Sequence, residues 1–155
     1  MKSTPAGWPR ISPTVYYEDP RAAIDWLCRA FGFEVRLKVE GERGRIEHSE
    51  LLFGDGLIMV GTAGPGKPGN EAWQPFHASP KSLEGKNTQA LAIFVDDADA
   101  HCARARAAGA TILREPKTDD YGDDYWADRN YGAKDPEGHH WWFMQRVRDP
   151  KPHAR

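Results

Sequence analysis

The sequence predicts an α+β protein made of two βαβββ modules. Three observations carry this reading. The order strand, helix, strand, strand, strand can be read twice along the chain. Each helix lies between an Asp and a Gly, and Asp19 to Gly32 and Asp96 to Gly109 each span 13 positions. A stretch rich in Gly, Pro and Ser, Thr62 to Asn87, separates the halves. A long period of this kind outweighs any single motif when a fold is read from sequence. The chain has 155 residues, room for one compact domain or for two small modules sharing a core.

In the first half, Ile11 to Tyr17 is rich in β-branched and aromatic residues and bounded by Pro9 and Asp19-Pro20, so it is expected as a strand. Pro13 places it at a sheet edge or an irregularity. Asp19 can cap a helix and Pro20 suits its first position. Ile24, Leu27, Cys28 and Phe31 then recur at helical spacing, and Gly32 is placed to end the helix in the left-handed conformation. Phe33 to Val39 alternates as a strand, Gly41 and Gly44 flank a turn, and Ile46 to Phe53 is the next strand. Gly54-Asp55-Gly56 is a hairpin turn before Leu57 to Val60.

In the second half, Gln89 to Val95 is expected as a strand and Asp96-Asp97 as a cap. Ala98, Cys102, Ala105 and Ala108 make one small apolar helix face, ended by Gly109. Strands are expected at Ala110 to Leu113, Tyr125 to Lys134 and His139 to Gln145, the last after the turn Asp135-Pro136-Glu137-Gly138. The expected organisation is therefore an N-terminal extension (1–10), a first module (11–61), a linker (62–87), a second module (88–145) and a charged, frayed tail (146–155).

Composition narrows the function classes. Net charge is −2 with scattered basic residues, which gives no footprint for nucleic acid. No apolar run reaches the roughly 18 residues needed to span a membrane, and Met1 to Pro9 lacks the apolar core of a signal peptide. Cys28 and Cys102 lie among helical Ala and Leu, as buried thiols do, so a reducing cytoplasmic setting fits. Neither a nucleophile elbow nor a phosphate loop is present.

Five segments in order carry a family resemblance: Tyr17-Glu18-Asp19-Pro20 running into a helix, Phe31-Gly32-Phe33-Glu34-Val35, Val95-Asp96-Asp97-Ala98 running into a helix, Ala108-Gly109-Ala110, and Asp135-Pro136-Glu137-Gly138-His139. Across residues 11 to 145 the chain resembles the vicinal-oxygen-chelate superfamily of glyoxalase I, bleomycin-resistance proteins and extradiol dioxygenases. More narrowly it is similar to the glyoxalase/bleomycin-resistance proteins and their phosphonate-cluster (PhnB-like) relatives. The resemblance implies curved mixed sheets around a cavity, often at a module or subunit interface, and hence a homodimer. Metal-dependent relatives place a His, Gln or Glu ligand on the first and last strand of each module. Carried over, those positions fall on Ser12, Met59, Ala90 and Trp142, with Gln89 one residue away from the third. Ser, Met, Ala and Trp do not make a site for a hard divalent ion. The resemblance therefore carries the fold, while the Lewis-acid chemistry of glyoxalase I and the dioxygenases is not inherited.

The remaining candidates leave alternatives open. His48 and Glu50 share a strand face, either as a metal or ligand-binding pair or as a polar face with a salt bridge to Arg45 or Arg36. His139 and His140 are adjacent, so on a strand they face opposite ways. Tyr121, Tyr125, Trp126, Arg129 and Tyr131 run among Asp119, Asp120, Asp123, Asp124 and Asp128. They are either a loop and strand closing over a planar or cationic ligand or ordinary sheet packing beside an acidic turn. Trp142, at the implied metal position, is either a stacking platform or a plug. The expected function is binding of a small, partly aromatic or cationic molecule by His48, Glu50, Met59, Tyr121, Tyr125, Trp126, Arg129 and Trp142, with no cofactor and no metal. The competing expectation is a lyase, isomerase or dioxygenase with an atypical metal site of His48, Glu50 and His140.

Overall fold

Asp19 and Pro20 start the first helix as the sequence predicts. In the computed structural model, which describes residues 1–42, 45–64 and 76–151, the Asp19 carboxylate accepts from Ala22 N at 3.0 Å. The helix α1, Pro20–Phe31, ends on Gly32 at φ 86° with its N–H returned to Cys28 O. Gly44, Trp73 and the middle of the expected linker lie outside the described residues.

The chain divides into two compact units, Met1–Glu84 and Gly85–Arg155. The first holds β1 (Thr14–Tyr17), α1, β2 (Glu34–Glu40), β3 (Ile46–Phe53) and β4 (Gly56–Thr62). Its sheet runs β1-β4-β3-β2, with β1 parallel to β4 and the other pairs antiparallel. Strand alternation and register put Val15, Tyr17, Leu51, Ile58 and Val60 on one face, all buried. Ile24, Leu27 and Phe31 of α1 are at most 1% exposed, and each such side chain contributes about 1.5–3 kcal/mol on burial. The opposite face carries Thr14, Tyr16, His48, Glu50, Met59 and Gly61.

The second unit repeats the plan with β5 (Leu91–Phe94), α2 (Ala98–Ala107), β6 (Thr111–Asp120), β7 (Ala127–Lys134) and β8 (His140–Arg148), ordered β5-β8-β7-β6. The protein is thus α+β, two four-stranded mixed sheets each with one helix. Gln145 and Arg129 reach the start of α2 by bonding Ala98 N and Asp99, so their face of the sheet is the helix face. Tyr131, Ala133, Trp141 and Phe143 share it by register and are at most 1% exposed. Asp135 locks the turn before β8. One carboxylate oxygen accepts from Glu137 N and His139 N, and the other from the Trp141 indole N–H, each at 3.0 Å.

Several expected boundaries move. The equal 13-residue spacing does not mean equal helices, because α1 has 12 residues and α2 has 10, with Asp97 rather than Asp96 as its cap. The first strand begins at Thr14, not Ile11, although Pro13 O still accepts from Met59 N on the sheet edge. The fifth strand is Leu91–Phe94, not Gln89 to Val95. The strand expected to stop at Leu113 continues to Asp120 through Pro116, which a bulged edge strand tolerates. Tyr125 and Trp126 precede β7 instead of belonging to it. The tail is not frayed from residue 146, since Arg146 and Arg148 extend β8 and pair with Asp128 and Asp120. The described part of the linker also has order, with a 3-10 turn at Pro80–Ser82 capped by the buried Ser79.

Candidate ligand-binding site

In the first unit the β3–β4 ladder runs from Phe53↔Gly56 to Leu51↔Ile58. Beyond it the Ser49 hydroxyl replaces the backbone pairing. It donates to Val60 O and accepts from Val60 N, both at 2.9 Å. The strands part there, and a cavity of about 270 Å³ opens, lined by residues 45–49 and 59–62 together with Thr14, Tyr16, Gly64 and His77. The Tyr16 ring lies over Gly61, where a Cβ would stand 2.8 Å from the ring. The ring also stacks on His77, with centroids 3.9 Å apart. Burial pushes the Tyr16 phenol up from its usual value, against a hydrogen bond from Thr14, so the hydroxyl keeps its proton.

His48 and Met59 line this cavity. Glu50 does not, although it meets His48. Its carboxylate is 2.9 Å from His48 Nε2 and 3.2 Å from Arg36 Nε, and it is 6% exposed. The Arg36 guanidinium in turn donates to Gly7 O and lies over the Trp8 ring. Of the two partners the sequence left open for this pair, Arg36 is the one engaged, which holds a buried carboxylate in place. Ser12, at an implied ligand position, has a buried hydroxyl oxygen without a hydrogen-bond partner among the described residues.

In the second unit the face away from α2 carries Ala92, Phe94, Asn130, Gly132, Trp142 and Met144, paired Ala92↔Trp142, Gly132↔Trp142, Phe94↔Met144 and Asn130↔Met144. Trp142 lies against Gly132, where a Cβ would meet the indole at 2.9 Å. The absent side chain lets the ring lie on the sheet. Trp142 is half-buried, and among the described residues no ring stacks on it. Ala90 and Gln89 are exposed and precede β5. His140 opens β8 on the Trp142 side by alternation, while His139 belongs to the turn.

Trp126 packs with Tyr121 at 5.4 Å and Tyr125 at 6.2 Å, at the end of the β6–β7 hairpin. Three carboxylates of the acidic run around them are matched internally. Arg114 takes Asp119, Arg148 takes Asp120 and Arg146 takes Asp128. Arg146 also sits 5.4 Å from the Phe94 ring and 5.6 Å from the Trp126 ring, in the place expected for a cationic ligand. Arg129 leaves the group, because its guanidinium is bound to Asp99 at 2.5 and 2.7 Å on the helix face.

Sequence reasoning did not single out the cavity wall of Tyr16, His77 and Arg45. The only local signal was the Thr14-x-Tyr16 alternation toward one face. No group of three or more His, Cys, Asp or Glu side chains among the described residues is arranged to hold a metal ion. No helix among them is long and apolar enough to cross a membrane.

The model described as "Glyoxalase/Bleomycin resistance protein/Dioxygenase superfamily" matches residues 10–143. An uncharacterised protein of Mycobacterium bovis is 31% identical over 141 residues, covering 91% of this chain and 86% of its own. The crystal structure of TioX from Micromonospora sp. ML1 is 30% identical, covers 90% of this chain and 100% of that one, and superposes with a TM-score of 0.67. TnmS3, an antibiotic-binding protein from Streptomyces sp. CB03234, shares the fold at 21% identity and a TM-score of 0.60, covering 88% of this chain and 93% of its own. With a family model spanning most of its length, the chain belongs to the glyoxalase/bleomycin resistance protein/dioxygenase superfamily.

Proposed function

We propose that the protein binds a small, partly aromatic molecule that stacks on Trp142, without the divalent ion of the family's metal-dependent members. The observation that carries this reading is Trp142 itself. At a position where the resemblance implies a metal ligand, an indole lies on Gly132 with no ring among the described residues stacked on it. A flat aromatic surface beside apolar Ala92 and Met144 suits a planar ligand. The charge pattern favours an aromatic over a cationic ligand, since the nearby carboxylates of Asp119, Asp120 and Asp128 already have Arg partners. TnmS3 is described as an antibiotic-binding protein, which supports a binding role on the same fold. The metal-enzyme alternative finds less support, because Glu50 is committed to Arg36 and His48.

Three narrower readings belong to this proposal: a place in the PhnB-like branch and assembly as a homodimer, which rest on the resemblance and the second of which light scattering reads as the mass of two chains, and a cytoplasmic setting, which rests on the two helical cysteines. The binding reading itself is tested by calorimetric titration of chelator-treated protein with a panel of planar aromatic compounds. At least one compound should bind, and Trp142→Ala should weaken it about tenfold or more, the scale of an aromatic stack with its buried area. Silence across the panel would end the proposal.

A further inference from the structure

The helix side of the second unit holds a buried phenol outside the ligand face. Tyr131 of β7 is fully buried, and its hydroxyl meets Nδ1 of His101, on α2, at 2.5 Å. Among the described residues no other hydrogen bond reaches that hydroxyl. Burial pushes the Tyr131 phenol far above its usual value, so it keeps its proton at any ordinary pH. A phenol has one hydrogen to give, and His101 Nδ1 is the acceptor in reach. The neutral imidazole protonated on Nε2 therefore satisfies both groups. A doubly protonated imidazole carries a hydrogen on Nδ1 as well. That hydrogen takes the phenol oxygen as its acceptor and strands the phenol hydrogen in the core, at the cost of an unmatched buried donor.

The His101 ring also lies 4.3 Å from the Phe143 ring of β8, and Tyr131 stacks on Phe143 at 5.1 Å. The three rings thus join α2 to β7 and β8. His101 is only half-buried, so protons from solvent can reach it. The charged groups around it have partners of their own. On α2, the Asp97 carboxylate accepts from Ala100 N, and Asp99 is bound to Arg129 of β7. Arg104 and Arg106 add positive charge to the helix, and Arg106 takes Glu115 of β6. Burial pushes the Cys102 thiol up, so it stays neutral. β8 turns Trp141, Phe143 and Gln145 to this side, none of them charged.

We propose that His101 and Tyr131 form an acid-released latch, in which the neutral imidazole ties α2 to its sheet and protonation loosens the helix. The folded state favours neutral His101, whereas the unfolded chain takes up the proton near the ordinary imidazole value of about 6.5. The stabilisation is therefore fully present above that pH and is lost as pH falls below it toward the folded value. Tyr131 directly precedes Gly132 and Phe143 directly follows Trp142, so the latch backs the strands that carry the indole.

The test is an NMR titration of the imidazoles in the full chain, with the His101 signal identified by its loss in His101→Asn. Neutral His101 should carry its hydrogen on Nε2 and should titrate below the ordinary imidazole value. Tyr131→Phe should bring that midpoint back up, a shift that a phenol serving only to fill space would not cause. Melting temperatures from about pH 7.5 to about pH 5.5 give a second arm, spanning the ordinary imidazole value. In His101→Asn the amide oxygen replaces Nδ1 as acceptor and takes up no proton, so its melting temperature should fall less with pH than that of the unmodified chain. Neither arm uses an aromatic ligand, so failure of the latch and failure of the Trp142 reading are distinguishable. A His101 midpoint at or above the ordinary value, a neutral ring protonated on Nδ1, a midpoint unmoved by Tyr131→Phe, or an equal fall of the melting temperature in His101→Asn would overturn the proposal.

Discussion

The indole of Trp142 and the Cα of Gly132 are in contact across neighbouring strands, so that a Cβ at 132 would stand 2.9 Å from the ring. Gly132→Ala therefore has to move the indole off the sheet. The expected loss is about 1–3 kcal/mol of stability, as for other overpacked sites. Denaturant unfolding of Gly132→Ala, Trp142→Ala and the double variant checks this, because the penalty should largely vanish once the indole is gone.

Ser49 offers a test of the strand opening. Its hydroxyl alone completes the Val60 N–H and C=O, and the side chain is 1% exposed. Ser49→Ala leaves both groups without that partner and should cost about 1–3 kcal/mol. A change below about 0.5 kcal/mol in a chemical melt, the level of an ordinary surface substitution, would show that the opening does not depend on Ser49.

Asp135 carries the turn before β8 with three accepted hydrogen bonds, one of them from Trp141. Asp135→Ala strands a buried indole N–H and two turn amides, and about 2–4 kcal/mol should be lost. The near-ultraviolet circular dichroism of Trp141 should change with it, whereas a purely local turn effect would leave that signal alone.

The acidic run predicts a pH response. Hydrogen bonds from Arg148, then from Gly122 N, lower the Asp120 carboxyl from its usual 3.8 to about 2. Asp119 is lowered by Arg114 and Asp99 by Arg129. Their folded values lie below the unfolded ones, so they stabilise the fold above about pH 4 and lose that contribution as pH falls toward 2. Asp120→Asn should flatten the fall of the melting temperature across this window. Parallel profiles for Asp120→Asn and the unmodified chain would contradict the assignment.

Much of the fold is legible in the sequence because its signals are local. Asp19-Pro20 with Gly32 marks α1, and Gly54-Asp55-Gly56 marks the β3–β4 hairpin. The errors fall where partners distant in sequence decide. β6 runs on through Arg114, Glu115, Pro116 and Lys117, past the expected end at Leu113, where Asn130 and Asp119 hold Arg114. Arg146 and Arg148 read as tail until Asp128 and Asp120 pair with them. In the site, strand alternation was enough to turn Trp142 and Trp141 to opposite faces. It was not enough for Arg129, whose sequence neighbours are aromatic but whose partner, Asp99, is on α2. It reached the cavity only through His48 and Met59, because His77, which stacks on Tyr16 in its wall, is distant in sequence.

Metal-independent stacking of an aromatic ligand on Trp142 can be read from titrations of one binding compound into chelator-treated protein and into Trp142→Ala. The expected result is the same affinity with and without chelator and a loss of about tenfold or more in Trp142→Ala. Affinity that disappears with chelator, or that survives intact without the indole, would contradict it.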